Sequence, residues 1–269
     1  MNSTDTPAAS PIGLLRPILA LMTLGALVVL SMIPVVIGEL ESLSSSLPGY
    51  TPGAVIALTL FNSFLPLLPA VILGTLAARR VGLTSYIVEC IRFKVPVWPR
   101  LKPHIPLAVL LGTGFILFSI VLDLLIHPDF AVRVSAGGAQ FLQLFQQLSV
   151  GLLYGGITEE LLLRWGIMSS LAWVFWKLCF RRRGFPPEGV FAAAIAVSDL
   201  LFGLGHLPAL AAQQELTALI VTRTVLLNSI GGIIFGWLFW TRGLETAMVA
   251  HGSSLVLLFI INGMVLLML

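Results

Sequence analysis

Residues Phe141 to Phe180 form a forty-residue, largely apolar run whose strong charges are Glu159, Glu160 and Arg164 near the middle and Lys177 near the end. Such a run leaves few folds open. In hydrocarbon every backbone amide must be satisfied by the protein itself, so a spanning segment is a helix or a strand of a closed barrel. At 1.5 Å per residue the run reaches about 60 Å as a helix, roughly twice the thickness of a bilayer core. It is therefore one span with a protruding end, or two spans with a tight connection near Trp165-Gly166. A charge at bilayer depth costs about 3 kcal/mol on insertion scales. The Thr158-to-Gly166 cluster must be paired, wetted by a cavity, or needed for chemistry.

The rest of the chain has the same character. Hydrophobic residues make up 58% and charged residues 10%, against about 25% charged in soluble domains. Further apolar runs extend over about Ile18–Ile37, Ala54–Ala77, Ile105–Ile126, Val190–Leu210, Leu219–Trp240 and Thr246–Leu269. The fold expected is all-α, a multi-pass transmembrane bundle of seven or eight spans with its active site between helices inside the membrane. It reads as one integral membrane domain. Residues 1–140 supply N-terminal spans with a basic loop at 78–104, and residues 141–269 supply the core that carries the polar motifs. Pro17 suits the start of the first helix, Pro34 a kink in its last turn, and Pro66 and Pro69 a kink in the second span. The run after Arg16 reads as a retained span rather than a removed signal peptide.

The net charge of +3 does not point to nucleic acid, because the cations gather in short loops. Arg79, Arg80, Arg92, Lys94, Arg100 and Lys102 face one acid, Glu89, in the 78–104 loop, which also has room for an interfacial helix over Ser85 to Phe93. With Arg181-Arg182-Arg183, they mark the cytoplasmic side and an inside N-terminus. The Gly38-to-Gly53 loop carries Glu39 and Glu41 without a basic residue, and the loop after Ile126 carries Asp129 and Arg133. Cys90 and Cys179 form no disulfide framework and no metal motif.

Three stretches carry groups out of place in lipid. On a helix, Glu160 and Arg164 are four apart and can pair. Glu159 points roughly 100° away and lacks that partner, and a desolvated carboxylate without a cation suits general-base work on water. In Ser198 to His206, Phe202 and His206 share a face, and Asp199 lies seven residues before His206 on that face as a group behind the histidine. A lone histidine there more often satisfies a carbonyl or ends a helix than performs chemistry. In Glu245 to Ser254, His251 lies in an apolar helix, and Glu245 is a first-turn acid favoured by the helix dipole. Asn262 is expected to bond another helix. Together, a carboxylate base and two imidazoles on three helices suffice to activate water and stabilise an oxyanion. If successive spans simply alternate, Glu159, His206 and His251 share a level only where helices are long, broken or tilted.

These residues resemble the CPBP family of intramembrane proteases, which includes the type II CAAX prenyl endopeptidases and the Abi-type proteins. Its first motif matches Glu159, Glu160 and Arg164, its second Phe202 and His206, and its third begins at His251. The third motif ends in asparagine or aspartate four residues on, where this chain has Leu255. The resemblance implies Glu159 as the base, His206 as the group that holds or orients it, and His251 as the oxyanion stabiliser. Glu160 and Arg164 would be a supporting pair, and Phe202 would shape the pocket. Leu255 cannot donate, and one missing oxyanion-hole donor costs about 3 kcal/mol of transition-state stabilisation. Asn228, Ser253 or Ser254 would then compensate.

The function expected is hydrolysis of a peptide bond in a membrane-associated protein or peptide by a Glu-activated water, with CAAX-type C-terminal processing as one form of it. The partners expected are that substrate and the bilayer, in a multi-pass protein of the cell membrane if the source is bacterial. No cofactor is favoured. Zinc held by Glu159, His206 and His251 is the metal alternative, without the His-Glu-x-x-His helix that would mark it. A catalytically weakened scaffold or bacteriocin-immunity factor of the same fold is the non-enzymatic alternative, supported by Leu255. A proton relay or transporter ranks last, because the chain lacks the internal repeat of secondary transporters.

Overall fold

The computed structural model describes residues 12–38, 40–46, 49–126, 148–180, 184–211 and 214–268. Glu39, Asp129, Arg133, the start of the forty-residue run, the 140/141 boundary and Arg181-Arg182-Arg183 lie outside the described residues. The described residues are helical, without a strand. The principal helices are α1 (Ile12–Ser31), α2 (Pro52–Phe64), α3 (Leu67–Val81), α4 (Tyr86–Phe93) and α5 (Ile105–Ile126). They are followed by α6, built from the consecutive segments Gly151–Glu159, Leu161–Met168 and Ser169–Cys179, then α7 (Glu188–Gly205), α8 (Ala218–Arg242) and α9 (Leu244–Met268).

Six stretches have the length and apolarity of membrane spans: Gly13–Gly38, Pro52–Val81, Val97–Ile126, Glu188–Ala211, Ala218–Arg242 and Leu244–Val265. The protein is an integral, multi-pass membrane protein. The long α6 rod packs among these six stretches and passes Trp165-Gly166 without a break. Over residues 148–180 the two-span alternative is therefore excluded. Tertiary packing explains the continuity. A Cβ on Gly166 would strike Ala70, and one on Gly74 would strike the Trp165 carbonyl, so α3 and α6 touch backbone to backbone there. Small residues at membrane helix contacts allow this approach.

Proline divides the N-terminal spans. Pro66 separates α2 from α3, and α1 stops at Ser31 before the short Ile33–Gly38 helix that holds Pro34. Pro17 is not the helix start, because α1 begins at Ile12 and encloses it. One missing amide near the start of an otherwise apolar helix does not end it. The basic loop folds inward. Ser85 caps α4 by accepting from the Val88 amide at 3.3 Å. Glu245, in the first turn of α9 as expected, also reaches across to that N-terminus. Its carboxylate accepts from Ser85 Oγ at 2.6 Å, from Tyr86 N at 2.8 Å and from Ile87 N at 3.0 Å. The core beneath includes Leu161, Trp165, Phe235, Leu238 and Phe239, all buried.

Candidate active site

α6 is widened where it carries its charges. Gly151–Glu159 and Leu161–Met168 are π-helical, a rare form that occurs chiefly at functional segments. Gly155 and Gly156 bring this segment against Gly252 and His251 of α9. Successive helical residues point in different directions, so the two glutamates meet different surroundings. The side chain of Glu160 is fully buried, whereas that of Glu159 keeps 21% exposure toward a cavity.

The buried half is organised by Arg164, itself fully buried. Its Nε lies 3.4 Å from Glu160 Oε2, its Nη2 lies 3.2 Å from Asp199 Oδ1, and Nη2 donates to the Gly232 carbonyl at 3.0 Å. The guanidinium also sits over the Phe202 ring at 5.2 Å and the Phe235 ring at 5.7 Å. Each contact has a fixed reason: an oppositely charged partner, a backbone carbonyl that a glycine leaves open to approach, and an aromatic face. Arg164 thus ties α6 to α7 and α8.

His251 bridges the two halves. Its Nδ1 lies 2.9 Å from Glu160 Oε1, and its Nε2 lies 3.9 Å from Glu159 Oε2. The carboxylate accepts, so Nδ1 carries a proton and Nε2 faces the cavity. Phe235 stacks on the imidazole at 4.6 Å, with 18° between the planes. His206 follows the last residue of α7, and its Nδ1 donates to the Phe202 carbonyl at 2.8 Å. Its Nε2 is then left for other partners. Phe202 meets His206 edge-on at 4.6 Å and His251 at 6.4 Å.

Glu159, His206 and His251 line one cavity of about 650 Å³ with Phe202, Asn228, Ser254 and Leu255. Ligand pockets commonly fall between about 300 and 1,000 Å³. The depth conflict is resolved because α6 is long and locally widened and α7 ends at Gly205. Within this cavity Glu159 meets His251, not His206, at ion-pair distance. The reason is local, since His206 is turned to its own helix carbonyl. Asn228 donates to Thr224 O at 2.8 Å, Ser253 to Ala250 O at 2.8 Å and Ser254 to His251 O at 2.7 Å. Ser253 and Ser254 thereby commit their single hydroxyl protons to their own helix, whereas the Asn228 amide, which lines the cavity, has a second N–H. Asn262 lines the cavity, which corrects its expected role in bonding another helix. Among the described residues, no three His, Cys, Asp or Glu side chains converge as a metal-binding set. No step below is routed through a metal.

Several participants lacked a signal of their own. The Gly232 carbonyl is backbone, and Phe235 is one aromatic among sixteen phenylalanines. Gly155 is the bare spot under the site. A Cβ there would lie 3.1 Å from Leu255 Cδ1 and 3.6 Å from both Glu159 Oε2 and His251 Nε2.

Residues 140–257 match the family model of the type II CAAX prenyl endopeptidases, Rce1-like. The match spans all three motifs, and the matched family is one of proteases. No curated protein and no solved structure matches the chain.

Proposed function

We propose, on the premise of this protease-family match, that the chain is an intramembrane endopeptidase that hydrolyses a peptide bond in a membrane-associated protein or peptide. The observation that carries the reading is His251 set between Glu160 at 2.9 Å and Glu159 at 3.9 Å, at the wall of a cavity that also holds His206.

Glu159 is the general base. It takes a proton from water as the water attacks the scissile carbonyl, and later gives it to the leaving amine. His206 Nε2 accepts a hydrogen bond from that water, because its Nδ1 proton is committed to Phe202. His251 donates from Nε2 to the developing oxyanion. For that it must carry protons on both nitrogens, with Nδ1 held by the Glu160 carboxylate. Behind the imidazole, Arg164 holds both Glu160 and Asp199 and so fixes the carboxylate that orients His251. Water in the cavity reaches Glu159 and not Glu160, which is why adjacent carboxylates take different parts.

A second reading has one observation in its favour. Leu255 presents an apolar wall beside Gly151 and Gly155, where the family places an amide or acid. A weakened enzyme serving as a scaffold or immunity factor would tolerate that. The test is purified full-length protein in liposomes with a quenched membrane-peptide library, comparing wild type with Glu159→Ala and His206→Ala. Peptide hydrolysis lost in both folded variants supports proteolysis. A cellular phenotype that survives both changes rejects it.

A further inference from the structure

The cavity runs from the catalytic residues to one end of the bundle, and five helices agree on which end. On α5 its lining reaches Asp123 and Leu124, near the C-terminal residue Ile126. On α6 it includes Val150 and Gly151, at the N-terminal end. On α7 it touches His206, one residue past the last, Gly205. On α8 it reaches Arg223, close to the first residue, Ala218, and on α9 it reaches Val265, near the final turn.

Apart from Arg223, which is paired with Asp123, the cations that close described helices occupy the opposite ends. Arg79 and Arg80 close α3, Lys102 precedes α5, Lys177 closes α6 and Arg242 closes α8. Contacts confirm that these ends lie together. Leu244 N donates to Thr84 O at 3.1 Å, the Tyr86 hydroxyl donates to the Arg242 carbonyl, and Glu245 holds Ser85. Gly112 of α5 meets Ala250 and Ser253 of α9, and the cavity then follows both helices to Leu124 and Val265, so those two helices start on the same side. Gly232 of α8 meets Asp199, and Gly236 meets Ile195, so α7 and α8 run antiparallel and both bring their outer ends to the cavity.

Lysine- and arginine-rich short loops stay in the cytoplasm. We infer that the catalytic cavity opens toward the non-cytoplasmic side. Its substrate is then an apolar, membrane-proximal peptide segment that enters from that side, not a chain terminus offered by the cytoplasm. The walls fit such a segment. Phe115, Ile116, Ile120, Leu258 and Ile261 make them apolar, and the partly exposed Arg223–Asp123 pair lies at the far end from Glu159. The substrate class rests on the proteolytic reading, whereas the direction of the cavity does not.

Two experiments separate these claims. In a Cys90→Ser, Cys179→Ser background, Asn262→Cys and Val265→Cys mark the cavity, and Lys94→Cys marks the cationic loop. A membrane-impermeant maleimide is applied to intact cells and to inverted vesicles, with detergent-solubilised protein as the reference for reactivity. Labelling of the cavity positions at least ten-fold above Lys94→Cys is expected in intact cells, with the reverse in inverted vesicles. Cavity positions reached only from the cytoplasmic side, or only after detergent, overturn the inference. The second experiment uses single-span reporters with the same apolar juxtamembrane segment on either side, coexpressed with wild type or Glu159→Gln. Cleavage of the non-cytoplasmic reporter by wild type alone is expected. Cleavage of the cytoplasmic reporter alone overturns the substrate side and leaves proteolysis standing. Cleavage of neither removes proteolysis and the substrate class with it, and the labelling still decides the direction.

Discussion

Replacing Arg164 by methionine is the sharpest perturbation of this bundle. The side chain is fully buried and faces Glu160 at 3.4 Å and Asp199 at 3.2 Å, both buried as well. Methionine fills the space and leaves two carboxylates without a cation. Removing one partner of a buried pair costs about 3–5 kcal/mol. A freed carboxylate can take up a proton, which caps the cost, so the two pairs do not add. About 3–5 kcal/mol corresponds to a fall in Tm of about 6–20 °C on the scale of domains of about 150–250 residues, slightly shorter than the 269 residues of this chain. The assay is thermal unfolding of the purified protein in detergent. Arg164→Met with Asp199→Leu removes one of the stranded charges and should recover at least half of the loss. A folded Arg164→Met protein within about 2 °C of wild type would refute the view of Arg164 as the tie between α6, α7 and α8. So would a double variant whose losses simply add.

Other expectations follow from the same distances. Glu159→Gln should lower hydrolysis about 10²–10⁴-fold, the usual contribution of a general base. Its Tm should barely move, because the side chain is partly exposed and its ion-pair partner, His251, lies at 3.9 Å; retained hydrolysis would remove Glu159 from the mechanism. Glu160→Gln keeps an acceptor for His251 Nδ1 but not the negative charge, so kcat should fall with little change in KM, and a purely structural Glu160 would leave kcat alone. Leu255→Asn supplies a side-chain donor beside the site and should raise kcat by up to about 10²-fold if a missing donor limits the enzyme; an unchanged rate would show that Leu255 does not limit it. Preincubation with a strong chelator should leave hydrolysis intact, and sustained loss rescued by zinc would sink the metal-free route.

Much of the scaffold was legible because bilayer physics acts on single residues: apolar runs of about twenty residues and cationic loops need no tertiary information. The continuity of α6 was not legible. Trp165-Gly166 reads equally well as a turn or as a packing site, and only Ala70 and Gly74 of α3, about ninety residues earlier, decide it. The site divides along the same line. Glu159, Glu160, Arg164, His206 and His251 stand out because ionisable groups are rare in lipid. Their partners do not. Glu160 meets His251 across 91 residues of sequence, and Arg164 meets the Gly232 carbonyl across 68. A backbone oxygen has no signature in a sequence.

The Glu160–Arg164 pair is where the structure changes the meaning of a sequence feature. An i, i+4 ion pair on a helix is ordinarily a local stabiliser worth a few tenths of a kcal/mol. Here neither partner is satisfied locally. Arg164 spends its remaining contacts on Asp199 and Gly232, and Glu160 spends its second oxygen on His251. Four helices are thereby fixed around one imidazole, with α6, α7 and α8 held by the guanidinium and α9 held by the carboxylate. In a bilayer the hydrophobic effect does not drive helices together, so buried polar contacts and close packing must set their positions. The groups that orient His251 toward Glu159 are therefore the groups that hold the bundle closed. A substitution that loosens the cluster should cost activity before it costs insertion, because insertion depends on apolar length and the site depends on the interhelical geometry.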